Sequence, residues 1–441
     1  MRSASTRWRA ERLGVGAAWA ASALVLVALH PCRAAAEEAD FGPITPEYVT
    51  FYGQAEGEAT LFGEDARFTG QRRHDLSLAI EPTMRAEWME GDLRFTLTPF
   101  VRASAADDDR THFDLREAKF DLEAGDWSFT VGLDRVFWGK TEANHLVDII
   151  NQTDAVEDID DEDSLGQPMI RVSRLTEIGE FSAFFLPYVR TRTFPGREGR
   201  LRSGLPVDES ARVIERDGGR FAPSFALRYA GVIGDADIGL SFFNGVARDP
   251  VFRPGGFAST PGGPAPTVLV PVYETITQLG FDGQYTTGPT LWKAEAIYRA
   301  GQSDLRGRER DFVGVTGGFE HTLFGFAADR GIALLENADL GLIAEYSFDS
   351  RGRNATNVFQ NDVILGARLG LNDEADTSFL LTSAIDHEFG VVTLRLEAET
   401  RIADGWTAGI EGVLFIEGED DPLAADFQDD SFLRLKLAYY W

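Results

Sequence analysis

Apolar and polar side chains alternate in segments of about ten residues, recurring from residue 49 to the last residue of the chain. In a strand, successive side chains point to opposite faces, so each segment carries one apolar row and one polar row. A helix needs a period near 3.6 and cannot sort these residues. In 49–61, Val49, Phe51, Ala55, Ala59 and Leu61 oppose Tyr52, Gln54, Glu56 and Glu58. In 76–88, Leu76, Leu78, Ile80, Met84, Ala86 and Trp88 oppose Ser77, Glu81, Thr83, Arg85 and Glu87. The alternation returns in 93–103, 127–133, 292–299 and 392–399. Residues 113–122 change phase between Leu115 and Ala118, as a β-bulge would make them do. The chain closes on Leu433, Leu435, Leu437, Tyr439 and Trp441 set against Phe432, Arg434, Lys436, Ala438 and Tyr440.

Eighteen strands are expected, starting near residues 47, 73, 92, 111, 126, 167, 179, 221, 235, 268, 289, 309, 337, 357, 377, 390, 405 and 430. Sixteen is the main alternative. Tight connections at Glu90-Gly91, Ala124-Gly125, Ile178-Gly179, Gly234 and Gly288 follow even-numbered strands. The long ones at 139–166, 193–219, 248–266 and 417–429 follow odd-numbered strands. A barrel with short turns on one rim and long loops on the other has this parity. The connection 324–335 is long for its side, and Glu388-Phe389 is short for its side. No linker, composition break or repeat divides 37–441, and no stretch there approaches the ~18 apolar residues of a membrane helix. The expectation is one all-β domain, a transmembrane antiparallel β-barrel with long extracellular loops. Eighteen strands enclose more space than side chains can fill, so an aqueous channel is expected.

Arg2, Arg7, Arg9 and Arg12 precede an apolar stretch at 15–29, and Ala34-Ala35-Ala36 offers a small-residue cleavage site. This reads as a secretory signal peptide over 1–36. Cleavage would remove Cys32, the only cysteine, and leave 405 residues. Losing five arginines and one glutamate takes the net charge from −29 to about −33. Such acidity argues against nucleic acid as a partner.

The ending at Leu437, Tyr439 and Trp441 resembles the C-terminal assembly signal of Gram-negative outer-membrane barrels. Trp138-Gly139-Lys140, followed by Val147-Asp148-Ile149-Ile150-Asn151-Gln152-Thr153-Asp154, resembles the signature of a poorly characterised group of proteobacterial porin-like proteins. Gln152 stands where proline is commoner in that group. The resemblance implies an outer-membrane location, passive transport, and contact with lipid, lipopolysaccharide and the barrel assembly machinery. It names neither a solute nor a catalytic residue, and it leaves monomer and homotrimer open.

Leu146, Val147, Ile149 and Ile150 are poorly suited to an exposed loop. Folding of this segment into the barrel as a constriction is expected, with Trp138, Lys140, Glu142, Asn144, Asp148, Asn151 and Asp154 as its candidate residues. Packing on the rim is the alternative. Glu157, Asp158, Asp160, Asp161, Glu162 and Asp163 form an acidic run, and Glu417, Glu419, Asp420 and Asp421 form a second. Both runs read as solvated loop; weak Ca²⁺ or Mg²⁺ binding is the alternative, since hard oxygen ligands suit those ions. Arg85, Arg94, Arg102, Arg116, Arg171 and Arg174 are expected on the lumen face. Unpaired, they would guide organic anions; Glu81, Glu87, Asp114 and Glu117 are near enough to neutralise them. Phe184-Phe185-Leu186 and Phe242-Phe243 are read as lipid-facing or strand-end residues.

No cofactor and no metal site are expected, because His74, His112, His145, His321 and His387 share no ligand spacing. His112 beside Asp114 is a weak catalytic pattern, and no enzyme activity is expected. The function expected is passive diffusion of small hydrophilic solutes with a weak bias to organic anions. A selective channel for hydrophobic or aromatic compounds, or a barrel acting as receptor or adhesin, are the alternatives.

Overall fold

The computed structural model describes residues 45–441 except 261, 329, 330, 333, 334, 417 and 419. The expected signal peptide, and Glu417 and Glu419 of the second acidic run, lie outside the described residues. Eighteen strands form one closed antiparallel sheet. They are β1 (Tyr48–Phe62), β2 (His74–Trp88), β3 (Leu93–Ser104), β4 (His112–Ala124), β5 (Trp127–Asp134), β6 (Gln167–Thr176), β7 (Gly179–Leu186), β8 (Ser224–Ile233) and β9 (Ala236–Val246). Then come β10 (Thr275–Thr287), β11 (Thr290–Ala300), β12 (Phe312–Leu323), β13 (Asp339–Asp349), β14 (Asn361–Gly370), β15 (Ser378–Asp386), β16 (Val392–Ala403), β17 (Trp406–Ile416) and β18 (Phe432–Tyr440).

Each strand pairs with the next, and β18 returns to β1 in a register running from Gln54 opposite Tyr440 to Phe62 opposite Phe432. Gly53 and Trp441 exchange backbone hydrogen bonds of 3.1 and 3.2 Å at the end of this seam. Every start except the tenth lies within four residues of its expected position. The tenth strand begins at Thr275 because Val268–Tyr273 pairs instead with Val251–Gly255, in a small ladder outside the wall. The expected bulge is present: Thr98 faces Glu117 and Pro99 faces Leu115, which leaves Arg116 as the extra residue. Glycine serves the two-residue Gly-Asp turns, with φ of 62° at Gly125 and 65° at Gly234, where a β-carbon would be strained.

The apolar rows face outwards: Phe51, Leu78, Val131, Leu240, Leu414 and Leu435 all stand exposed. The polar rows face the lumen. The largest apolar cluster lies between the inner wall and the segment after β5, where Trp138, Val147, Ile149 and Ile150 meet Met169, Phe184, Leu186, Phe243, Ile276, Ile297 and Phe312. Phe184, Leu186 and Phe243 therefore point inwards, correcting the lipid-facing assignment. Phe242 keeps the outward position, at 36% exposure. The wall is lowest beside this segment, since β5 and β7 have eight residues each against fifteen in β1 and β2.

Candidate functional site

The chain leaves the wall after Asp134 and rejoins it at Gln167. Asn151 ties the two ends of this connection together. Its amide donates to the carbonyls of Asp134 (2.8 Å) and Leu165 (2.9 Å), and its carbonyl accepts from the Val136 N–H at 2.8 Å. Asp148 accepts from the Trp138 N–H at 2.5 Å. The Trp138 ring meets Phe184 edge-on at 5.6 Å. On another side it lies 4.7 Å from the Arg228 guanidinium, which is itself held by Asp282 at 2.7 and 2.9 Å.

From there the segment crosses the lumen on backbone donors. Glu295 of β11, fully buried, accepts from the Lys140 N–H (2.6 Å), the Thr141 N–H (3.0 Å) and hydroxyl (2.9 Å), and the Val147 N–H (3.2 Å). Glu345 of β13 accepts from the Glu142 N–H at 2.9 and 3.0 Å. Asn144 donates to Thr316 (3.2 Å) and Ser347 (2.6 Å). The Glu142 carboxylate pairs with Lys293 and with Arg368 of β14, nine strands round an eighteen-strand ring from β5. Arg248, 4% exposed, caps the return, donating to the carbonyls of Ile149 (3.1 Å) and Ile150 (2.8 and 3.0 Å). The segment lies against the inner wall and reaches the far side.

The acidic run continues back across the barrel. Glu157 pairs with Arg102 of β3 at 2.6 Å, Asp158 with Arg434 of β18, Asp160 with Arg395 of β16 at 2.8 Å, and Asp161 with Arg192 at 3.6 Å. These pairs withdraw Glu157, Asp158 and Asp160 from solvent. Asp161, Glu162 and Asp163 remain exposed. Asp154 accepts from the Thr193 hydroxyl and lies 2.7 Å from Arg116.

The arginine row is on the lumen face as far as Arg171, and all of it is paired. Arg85 meets Glu87 (2.8 Å), Arg94 meets Glu123 (3.1 Å), and Arg102 meets Glu56 (3.2 Å), Glu58 (3.0 Å) and Glu157. Arg116 meets Asp154 and Asp114, and Arg171 meets Asp134 at 3.5 Å. Of the expected partners, Glu87 and Asp114 serve the row; Glu81 goes to Arg135 and Glu117 to Lys119. Arg174 corrects the expectation. It pairs in register with Trp127 on the outer face and lies 5.1 Å from that ring. His112 does not act with Asp114, whose carboxylate is taken by Arg190 at 2.7 Å. It faces Asp154 and Glu157 instead.

The connection 187–223 was seen in the sequence only as a long loop. It runs across the mouth from β7 to the far rim. Gly196 donates to Asp107 at 2.9 Å, Gly199 accepts from the Gln71 amide at 2.7 Å, and Arg200 pairs with Asp430. Only its eight arginines, at residues 190, 192, 197, 200, 202, 212, 216 and 220, hinted that it seeks acidic partners.

Burial, aided by the neighbouring Glu295 carboxylate, pushes the Asp148 carboxyl up to about 7. A free carboxyl titrates near ~3.9, so the folded protein holds this proton more tightly than the unfolded chain. The resulting stabilisation is complete below about pH 4 and is lost as pH rises through about 7. The protection factor of the Trp138 amide, taken against its base-catalysed intrinsic exchange, should fall across this window, and Asp148→Asn should flatten that fall. Equal pH dependence in both proteins would refute the assignment.

The chain matches no protein-family model and no curated protein sequence. Among solved structures, the barrel is similar to OccK5 (OpdH) of Pseudomonas aeruginosa, with a TM-score of 0.52 and 9% identity over 90% of this chain and 98% of that one. It is also similar to OccK8 (OprE) of Pseudomonas aeruginosa, with a TM-score of 0.50 and 11% identity over 90% and 99% of the two chains. At these identities the likeness is one of fold.

Proposed function

We propose that this protein is an outer-membrane channel through which small hydrophilic solutes diffuse passively, with a preference for cations. The observation that carries the reading is the segment 135–166, fixed to opposite walls of a barrel too wide to be filled by its own side chains. A merely anchoring barrel has no use for a constriction. The outward apolar rows would be an aggregation surface in water and suit lipid. This reading entails export by the 1–36 signal, insertion by the barrel assembly machinery through Leu437, Tyr439 and Trp441, and contact with lipopolysaccharide. It is neutral between monomer and homotrimer.

A lean towards organic anions needs free lumen arginines, and Arg85, Arg94, Arg102, Arg116 and Arg171 are each held by a carboxylate. Exposed carboxylates of the crossing segment, Glu162 and Asp163, favour cations instead. A channel for aromatic compounds fits less well. The inward rings of Trp138, Phe184, Phe243 and Phe312 are buried under the segment, and strand pairing is continuous round the wall. The test is the reversal potential of single channels in a salt gradient, made with refolded residues 37–441. Cation preference that weakens in Glu162→Gln plus Asp163→Asn supports the proposal. Anion preference overturns the charge assignment, and a folded barrel that never conducts overturns the channel.

A further inference from the structure

Three buried ligand atoms converge where the crossing segment returns to β4. His112 Nε2 lies 3.4 Å from Asp154 Oδ2 and 3.5 Å from Glu157 Oε1. All three atoms fall within 4.8 Å of one another. None has a hydrogen-bond partner, although Asp154 is 0% exposed and Glu157 5%. Asp154 Oδ2 also forms an ion pair with Arg116, at 2.7 Å.

For His112 Nε2 and Glu157 Oε1 the lack of a partner is costly, because each buried polar atom left unpaired forfeits about 1–3 kcal/mol. The separations are long for N–H···O hydrogen bonds, which centre near ~2.9 Å. They match the edge of a tetrahedron with metal–ligand bonds of about 2.1 Å, which is about 3.4 Å.

The surroundings are prepared in the same sense. His112 Nδ1 is 3.2 Å from the Arg110 carbonyl, which fixes Nδ1 as the donor and leaves the Nε2 lone pair facing the carboxylates. The second oxygens are also held: Glu157 Oε2 by Arg102 at 2.6 Å, and Asp154 Oδ1 by Thr193. The ion pairs joined to the trio bind Glu56, Glu58, Asp75, Asp114, Asp154 and Glu157 with Arg102, Arg110, Arg116 and Arg190. Six carboxylates against four guanidiniums leave room for two positive charges.

We propose that His112, Asp154 and Glu157 form a site for one divalent transition-metal ion of the zinc class, with water from the lumen as fourth ligand. One nitrogen and two carboxylate oxygens suit that class better than Ca²⁺, which takes six to eight oxygens. The sequence could not show it, because the ligands are spread over residues 112–157. The ion would pin the returning half of the crossing segment to β4.

The test uses chelator-stripped, refolded residues 37–441 in detergent and needs no conductance, so it stands apart from the channel reading. Zn²⁺ should bind at one equivalent in competition with a chromophoric chelator. Co²⁺ should give the intense visible absorption of a tetrahedral site. His112→Ala should weaken Zn²⁺ binding by at least about 100-fold, since even supporting residues of metal sites cost 10–100-fold. Glu157→Gln provides the second variant should His112→Ala fail to fold. Zn²⁺ binding unchanged in the variants, or Co²⁺ seen only as the pale octahedral ion, would overturn the site and leave His112 as a protonated imidazolium between two carboxylates.

Discussion

Glu295→Ala should release the crossing segment and raise single-channel conductance. Four donors converge on that one carboxylate: two N–H groups and a hydroxyl from Lys140 and Thr141, and the Val147 N–H. The alanine variant leaves them without an acceptor in a buried place, at about 1–3 kcal/mol each. Water entering the gap would recover part of this, so a net loss of about 3 kcal/mol in docking is a fair expectation. That corresponds to roughly a hundredfold rise in the undocked population. The recording should show larger mean current and added noise, with faster hydrogen exchange over 140–151. Glu295→Gln should fall between, because one acceptor oxygen survives. Wild-type current and exchange in the alanine variant would mean that the apolar seat of Val147, Ile149 and Ile150 suffices to hold the segment.

Arg102→Met should cost about 3–5 kcal/mol of stability, the range for removing one partner of a buried ion pair. The side chain is 6% exposed and serves Glu56, Glu58 and Glu157, of which Glu58 and Glu157 are themselves buried. Arg110 still reaches Glu58 at 2.7 Å, so the uncompensated charge is chiefly that of Glu157. Arg94→Met, by contrast, breaks a pair with Glu123 whose side chains are 30% and 43% exposed. Such a pair contributes under about 1 kcal/mol. Chemical unfolding of the two variants in the same detergent separates them. Equal midpoints would show that the arginines are interchangeable lumen charges after all.

Much of the wall was legible in the sequence because one physical rule governs it. Each strand has lipid or water on a given face, and the period of two survives unless something else covers that face. It fails at β7 and β9, where Phe184 and Phe243 put apolar side chains on the inner face as well as the outer. There the crossing segment replaces water. Apolar residues on both faces of a short strand were the available sign of that cover. The inward packing of the segment after β5 was legible through the same misfit, four aliphatic residues in a loop. The long-range ion pairing was not. Glu157 and Asp158 find Arg102 and Arg434 across the barrel, far away in the chain, and no local pattern encodes which carboxylate meets which guanidinium. The tenth strand was misplaced because Val268–Tyr273 alternates as well as a wall strand does, yet finds its partner in another loop.

The seam between β1 and β18 also sets a condition on how the molecule comes to exist. Neighbours elsewhere in the wall are neighbours in sequence, so hairpins can form as local events. The seam joins Gln54 to Tyr440, nearly the whole described chain apart, and carries the largest loop-closure entropy in the structure. Until it forms, two strands present bare hydrogen-bonding edges, the most aggregation-prone state a sheet can have. Closure is therefore a single late event whose rate depends on holding the two edges in register. A change that slows it should lower the yield of folded barrel while leaving the stability of the finished one untouched.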